Sequence, residues 1–316
     1  MRKRAQLWLG TLLVASALTA RGQELLPDFP LPSAIPEDGA RALTTFKESD
    51  IKFRLQDLMD LLRDHQHEGW VLAAYPDPNT HRPLIGAGFS LDVEAVAHPQ
   101  PDPSNLHQFV EPSSAQLWQA AGLPPERLQH ILAQFDHNMT AWSLTTYRRK
   151  IVRHTLRPQL TEEEATKLLR ISAIQAVYNA RAYCRGFDQL TASQQMAMSQ
   201  LVFQMGTNLQ AFVQFLDAVN DENNAHELAR LDGYMETEPQ HWQRVQGALI
   251  DSQWARRYSI RAASVIAMFD PNYSLQPARA QEQVAATLPM KSHAATRVRS
   301  VSYRKRTKKP QIKKKT

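Results

Sequence analysis

The sequence predicts an α+β fold that is mainly α-helical and contains one small β-hairpin. Apolar residues recur at helical spacing over most of the chain, particularly between residues 160 and 269. By contrast, the stretch from Trp70 to Gly88 has two short apolar runs on either side of a proline-containing turn, which is typical of paired strands. With 316 residues, 43% of them hydrophobic and 22% charged, the chain can bury one large core or the cores of two lobes.

The N-terminal residues have the pattern of a secretory signal. A basic start, from Met1 to Arg4, is followed by an uncharged run from Ala5 to Ala20, so residues 1–20 are predicted to be the signal. The run is too short to cross a bilayer comfortably, and we therefore expect a secreted or periplasmic protein with no stable membrane span. Residues 21–44 are rich in proline and lack periodicity, which predicts an extended linker or a strap that lies across the domain.

A helix is predicted before the hairpin. Thr45 and Glu48 have the spacing of a capping box, and Gly69 can adopt the left-handed conformation that closes a helix. Between them, apolar residues follow helical spacing at Ile51, Leu55, Leu58 and Leu62. Glu68 would then lie in the last turn, where the negative end of the helix dipole favours a protonated carboxyl group. A protonated carboxyl group suits a general acid.

A second carboxylate, Asp77, lies in the turn of the predicted hairpin. The first strand runs from Trp70 to Tyr75, and the return strand contains residues 84 and 85. Glycosidases hold two carboxyl groups around one sugar bond, and a helix end that faces a turn can provide both. The same residues also fit a surface salt bridge and an ordinary aspartate turn, and this stretch alone favours the simpler interpretation.

Further helices are predicted after the hairpin. Residues 114–121 form a short one, and Pro124-Pro125 leads into a longer one. Tyr147–His154 is strongly basic and fits either a solvated helix face or a surface for an anionic glycan or wall polymer. Two capping boxes predict where long helices begin. They are Thr161 with Glu164, for a helix through Tyr183, and Thr191 with Gln194, for a helix that ends at Gly206.

Three segments of the chain resemble the phage-type lysozyme family. They are EGWVLAAYPDP…IGAG within residues 68–88, LTEEEATKLLR…QLVFQMG within residues 160–206, and HWQRVQGALIDSQWARRYSIRAASVIAMF at residues 241–269. They occur in the family's order, with its characteristic eight residues between Glu68 and Asp77. The resemblance implies a two-lobed, lysozyme-like domain over residues 45–275, with a small β-hairpin lobe, a helical lobe and an inserted helical segment at about residues 92–158.

The resemblance also implies the chemistry. It makes the chain an exported muramidase that cleaves peptidoglycan between N-acetylmuramic acid and N-acetylglucosamine, as part of cell wall catabolism. Glu68 would be the general acid and Asp77 would hold the attacking water. Arg261 would pair with Glu68, and Gln204 would line the cleft. The family needs no cofactor and no metal, and we expect a monomer whose partner is the glycan strand.

Two positions depart from the family pattern. Leu84 stands where the family has its catalytic threonine, and Phe89 stands where it has a histidine. Thr80 or Ser90 can supply the missing hydroxyl from a shifted loop, or Asp77 can hold the water alone. Two other outcomes stay open: the muramic 6-hydroxyl attacks instead of water, as in a lytic transglycosylase, or the chain binds peptidoglycan without cleaving it.

Cysteine and charge complete the prediction. Cys184 is the only cysteine, so no disulfide can form within the chain.

The basic residues are concentrated at the two ends of the sequence. Of the 37 Lys and Arg residues, eleven lie in residues 291–316 and three in residues 1–20. The part between them has 23 basic and 31 acidic residues, a net charge of −8. The overall charge of +6 is therefore a property of the ends. The basic, disordered tail predicted at residues 276–316 fits either a solvated end or a binding segment for nucleic acid or an anionic envelope polymer.

Overall fold

Helices form most of the structure, and a small antiparallel sheet forms the rest of its regular elements. The computed structural model describes residues 38–64, 70–221 and 238–288. The strands are β1 Val71–Pro76, β2 Pro83–Gly86 and β3 Phe89–Ser90. The α-helices are α1 Asp38–Thr44, α2 Leu55–Arg63, α3 Ser114–Ala120, α4 Pro125–Ala141, α5 Leu144–Val152, α6 Glu162–Tyr183, α7 Ala192–Met205, α8 Val213–Asn220, α9 Glu238–Ile250, α10 Gln253–Arg257, α11 Ser259–Ala267 and α12 Pro277–Thr287. The broad α+β class is confirmed.

The predicted hairpin is present and continues into a third strand. The strand order is β1-β2-β3, with Tyr75 opposite Leu84 and Leu84 opposite Ser90. Gly86 and Gly88, at the end of β2 and in the turn to β3, have φ values of 64° and 89°. A side chain at either position would be strained, which explains why glycine stands at both.

Helix α6 joins the sheet to the helical part of the molecule. Both hydrogen bonds of the capping box predicted for Thr161 and Glu164 are formed, and the helix runs for 22 residues to Tyr183 as predicted. It packs against β2 and β3 on one side and against α1, α2, α3 and α7 on others. Its buried side chains include Leu168, Ile171 and Val177, so burial of an apolar face stabilises it.

Helix α7 also follows the prediction. Thr191 and Gln194 form a complete capping box, and the helix ends at Gly206, whose φ is 51°. Its buried glutamines bond to other elements: Gln195 Oε1 accepts from the Lys52 amide at 2.8 Å, and Gln194 Nε2 donates to the Phe269 carbonyl at 3.2 Å. After α7 the chain forms a 3-10 helix, Gly206–Ala211, which is followed by α8.

The inserted segment packs against β1. Tyr147, on α5, is buried, and its hydroxyl donates to the Ala74 carbonyl at 2.9 Å. The amides of Gln159 and Leu160 donate to the Leu72 carbonyl at 2.7 and 3.0 Å, and Gln159 Oε1 accepts from the Ala74 amide at 2.6 Å. The backbone groups of β1 in these bonds are ones that do not pair with β2. The bonds therefore attach the insertion to the hairpin.

Tyr147→Phe is expected to destabilise the protein by about 1–3 kcal/mol, because the buried Ala74 carbonyl loses its hydroxyl donor. The measurement is the free energy of unfolding from urea titration. Tyr178→Phe is the control, since Tyr178 is only half-buried and its hydroxyl makes no hydrogen bond to a described residue. Equal losses in the two variants would show that the bond to β1 does not hold α5 in place.

The helix predicted to open at Thr45 has different ends. The Thr45 hydroxyl donates back to the Ala42 carbonyl at 2.9 Å, at the end of α1, and the Glu48 carboxylate bonds to Arg170 at 3.1 Å instead of capping a helix. Helix α2 begins only at Leu55 and ends at Arg63, because Asp64 has an extended backbone with ψ 139°. The prediction that this helix runs to Glu68 is therefore wrong. Glu68 itself, with the rest of residues 65–69, lies outside the described residues.

The folded part extends beyond both predicted boundaries. Helix α1 lies within the predicted linker 21–44 and buries Leu43 to 1% exposure against the core. Helix α12 lies within the predicted tail 276–316 and packs against α11 through Ala280 and Val284. The predicted signal, the proline-rich part of the linker and the basic tail from residue 291 lie outside the described residues. Within the described ranges, no helix combines the length and apolar character needed to cross a membrane.

Candidate active site

Asp77 occupies the turn between β1 and β2, and its side chain organises that turn. Its Oδ1 accepts hydrogen bonds from the amides of Asn79 at 2.8 Å and Thr80 at 2.6 Å, and from the Thr80 hydroxyl at 3.0 Å. Its backbone amide donates to the Arg82 carbonyl at 2.8 Å, which closes the hairpin. All three side-chain bonds go to Oδ1, so no donor among the described residues occupies Oδ2.

The surroundings of Asp77 favour its charged form. Partial burial acts to raise the pKa of Asp77, but the amides of Thr80 and Asn79, the Thr80 hydroxyl and the charge of His81 outweigh it. The pKa therefore lies below the ordinary value for aspartate, because these hydrogen bonds are stronger to the carboxylate than to the neutral acid. An ionised carboxylate with one oxygen free of donors can accept a hydrogen bond from a water molecule.

Two residues, Thr80 and Ser90, could supply the hydroxyl that Leu84 lacks. The hydroxyl of Thr80 is the one that contacts Asp77. Ser90 lies on β3 opposite Leu84, and its hydroxyl makes no hydrogen bond to Asp77. Leu84 itself is held between Tyr75 and Ser90 in the sheet. The hydroxyl nearest the carboxylate thus comes from the turn and not from the strand.

The turn touches the helical part of the molecule through α10. Arg257 Nη2 donates to Asn79 Oδ1 at 3.4 Å, which joins residues that are 178 positions apart in the chain. The guanidinium carbons of Arg257 and Arg261 lie 5.4 and 6.0 Å from the ring centre of Tyr258. Arg261 is only 8% exposed. Arg257 and Tyr258 are exposed, whereas Arg261 is buried, and Arg257 provides the contact with the Asp77 turn.

Gln204 contacts helix α10. Its Oε1 accepts a hydrogen bond from Trp254 Nε1 at 3.1 Å, and the side chain is half-buried. Its Nε2 makes no hydrogen bond to a described residue, so this amide nitrogen can still donate to a ligand. Phe203 and Met205, on either side of Gln204, pack against the core.

A groove lies between the end of the sheet at β3 and helices α6 and α7. It has a volume of about 220 Å³ and is lined by Ser90 and Phe89 on the sheet side and by Asn179, Phe203 and Gly206 on the helix side. The structure thus brings Ser90 together with the VFQMG segment. Asp77 does not line this groove.

Asp77 lines a second groove of about 490 Å³. One wall is the hairpin, with Tyr75, Pro78 and His81, and the other wall is helix α5 of the inserted segment. The two grooves share no lining residue. The insertion therefore forms part of the surroundings of Asp77.

Trp70, two residues after Glu68 in the chain, is held in place by α6 and α2. Its Nε1 donates to Glu162 Oε2 at 2.8 Å, and the Arg63 guanidinium carbon lies 4.3 Å from the centre of its ring. The interaction of Arg63 with Glu162, at 3.2 Å, closes this three-residue cluster. The start of β1 is thereby fixed against the first turn of α6.

The described part of the chain contains no candidate metal site, and its one cysteine is buried. No group of three or more His, Cys, Asp or Glu residues is placed there to hold a metal ion. Cys184 is completely buried directly after α6, at a residue with extended backbone. It is a core thiol that lies just outside the helix.

Arg257 and Tyr258 near the Asp77 turn were not predicted, and Arg148 was predicted only as part of the basic segment Tyr147–His154. Arg257 ends α10 whereas Arg261 lies on α11, so their spacing of four positions does not place them on one helix face, and helical periodicity gave no signal for Arg257. Tyr258 lies between them at the break between α10 and α11. Arg148 of α5 faces Asp77 across a groove, and its spacing from Asp77 along the chain gives no indication of that position.

No protein-family model matches the chain, and no curated protein or solved structure matches it significantly.

Proposed function

We propose that this protein is an exported, lysozyme-like muramidase that acts on peptidoglycan in the cell envelope. Glu68 would protonate the glycosidic oxygen, and Asp77 would orient the water that attacks the anomeric carbon. The proposal is carried mainly by Asp77, whose carboxylate is stabilised in its charged form and keeps Oδ2 available beside a groove. Such a carboxylate is one of the two groups that glycoside hydrolysis requires.

The burial of Arg261 is consistent with the proposal. The residue is 8% exposed, and the resemblance assigns Glu68 as its partner. Arg257 supports a cleft between two lobes, because it joins α10 to the Asp77 turn through Asn79.

The hydroxyl of Thr80 bears on the choice between water and an internal nucleophile. The side chain of Leu84 has no polar atom and cannot hold a water molecule. Its presence favours the transglycosylase alternative, in which the muramic 6-hydroxyl attacks instead of water. In contrast, the Thr80 hydroxyl donates a hydrogen bond to the Asp77 carboxylate. The carboxylate of Asp77 and the hydroxyl of Thr80 could therefore hold the attacking water together. We therefore propose hydrolysis first, with transglycosylation and non-catalytic wall binding as alternatives.

The test is digestion of purified peptidoglycan by the protein, followed by mass analysis of the fragments. Hydrolysis adds one water for each bond cleaved and gives a new reducing end. Transglycosylation adds no water and gives a 1,6-anhydromuramic end. Sedimentation with insoluble wall material without any fragment release would reject both reactions and support a binding protein.

A further inference from the structure

Helix α5 and the residues that follow it form an unpaired basic segment. Between Ser143 and Thr161 there is no acidic residue. The basic side chains are Arg148, Arg149, Lys150, Arg153 and Arg157. None of the five forms an ion pair with a described residue, whereas Arg63, Arg82 and Arg127 elsewhere in the structure do. The positive charge of this segment is therefore available to an external anion.

One face of α5 forms a wall of the groove that contains Asp77. The wall residues follow helical spacing: Leu144, Thr145, Arg148, Ile151 and Val152. Arg148 is the only basic residue of the helix on this face. Arg149, the next residue, points about 100° further around the helix and does not line the groove. Arg148 and Arg149 thus have the same charge and differ in the surface they face.

The position of Arg148 relative to Asp77 is fixed by its neighbours. Tyr147 is buried and bonds to β1, the strand that leads directly into the Asp77 turn. The ring of Trp142 packs against Tyr147 at 5.2 Å between centroids, and Lys150 Nζ lies 4.4 Å from the Trp142 ring centre. Arg148 therefore extends from an anchored helix, which reduces the entropy lost when it binds an anion.

The chemistry of the groove indicates a carboxylate on an aliphatic stem. Leu144 and Val152 are 40% and 72% exposed at its rim, next to the guanidinium of Arg148. A guanidinium binds a carboxylate through two parallel hydrogen bonds, and the apolar rim suits the carbons that bear it. Among the lining residues Asp77 is the only acidic one. An anionic group of a ligand would therefore be directed to the α5 side of the groove.

We propose that α5 is a substrate-selecting wall in which Arg148 binds a carboxylate carried by the glycan strand near the bond to be cleaved. The inference rests on the proposed function, because it takes the glycan in this groove to be the substrate. Two sources carry the same chemistry: the free lactyl carboxylate of a bare strand, and the carboxylates of peptides attached to that lactyl group. Arg148 is a positioning and specificity residue in this proposal.

The experiment measures binding of fluorescently labelled soluble glycan strands to the full chain in a Glu68→Gln background, at low salt. Three strands are compared: peptide-bearing, bare with free lactyl carboxylates, and bare with those carboxylates converted to amides. Arg148→Gln is expected to weaken binding to at least one carboxylate-bearing strand about tenfold or more, and to change binding to the amidated strand less than twofold. Arg149→Gln is the matched control and is expected to change binding to every strand less than threefold.

The outcomes separate the two proposals. The carboxylate-bearing strand that responds to Arg148→Gln identifies the source of the carboxylate. Equal losses on amidated strands, equal losses in Arg149→Gln, or no binding of any strand would overturn the role of α5. If the wild type cleaved peptidoglycan but Arg148→Gln did not weaken binding of the carboxylate-bearing strands selectively, only the role of α5 would be overturned. Arg148-dependent binding without cleavage by the wild type would support that role and reject the enzymatic proposal.

Discussion

Replacing Glu68 by glutamine is expected to lower the rate of fragment release from peptidoglycan by about 10²–10⁴-fold, the usual contribution of a general acid. Glutamine has nearly the shape of glutamate but cannot give a proton to the departing sugar oxygen. The measurement is the initial rate of appearance of new reducing ends or anhydro ends between about pH 4 and pH 8, the range in which a tuned glutamate titrates.

Glu94→Gln is the matched control for this variant. Glu94 is exposed after β3 and makes neither a hydrogen bond nor an ion pair with a described residue. The same chemical change there is expected to alter the rate less than threefold, as surface substitutions away from a site have small effects. If Glu68→Gln retained the wild-type rate, Glu68 would not be the acid, and the assignment by resemblance would be wrong.

Capping boxes were predictable from the sequence because both partners lie within one helical turn. Thr161 with Glu164, and Thr191 with Gln194, form both hydrogen bonds of the motif. Thr45 and Glu48 have a similar pattern, yet Glu48 bonds to α6, 122 residues away, and no helix begins at Thr45. A local pattern therefore predicts a cap only where no distant partner competes for the side chain.

The surroundings of Asp77 depend on long-range contacts that periodicity cannot predict. The Asp77 turn was predictable, because proline, aspartate and asparagine determine it locally. The contact of Arg257 with Asn79 and the bond from Tyr147 to Ala74 join residues 178 and 73 positions apart. The resemblance assigned Arg261, but it could not provide Arg148, because the inserted segment has no counterpart in the family pattern.

Apolar spacing also left the ends of the fold undetermined. Helix α1 is seven residues long and follows a proline-rich stretch, so it offers too few positions for a periodic pattern. Helix α12 follows an irregular stretch and buries only a narrow apolar face through Ala280 and Val284. Both are stabilised by the surfaces they cover, and such tertiary stabilisation overrides weak local propensity.

Asp77→Asn is expected to lower the rate of peptidoglycan cleavage about 100-fold or more, since the neutral amide is a poorer acceptor for the attacking water. Asparagine keeps a side-chain oxygen for the Asn79 and Thr80 amides, so the turn is expected to remain. Asp102→Asn is the matched control, because Asp102 Oδ1 accepts from the amide and hydroxyl of Ser104 in the same kind of turn, outside the Asp77 groove.

The pH dependence distinguishes a catalytic carboxylate from a structural one. For Asp102, partial burial raises the pKa, but Ser104 and the charge of Arg185 outweigh it, so the pKa lies below its ordinary value, as it does for Asp77. A lowered folded-state pKa stabilises the fold above the unfolded-state value of about 4, and this contribution is lost as the pH falls through the folded-state pKa. Both variants are therefore expected to be less stable than the wild type at pH 7, with the differences shrinking on acidification.

Activity is expected to respond differently in the two variants. In the wild type, the acidic limb of the rate profile is expected below the ordinary aspartate range, because Asp77 stays ionised there. Asp102→Asn should retain the acidic limb of the pH–rate profile and cleave peptidoglycan at a rate within threefold of the wild type. Asp77→Asn should cleave peptidoglycan much more slowly than the wild type at every pH. Equal rates in the two variants, with equal losses of stability, would mean that Asp77 only shapes its turn, and the hydrolytic role proposed for this carboxylate would have to be abandoned.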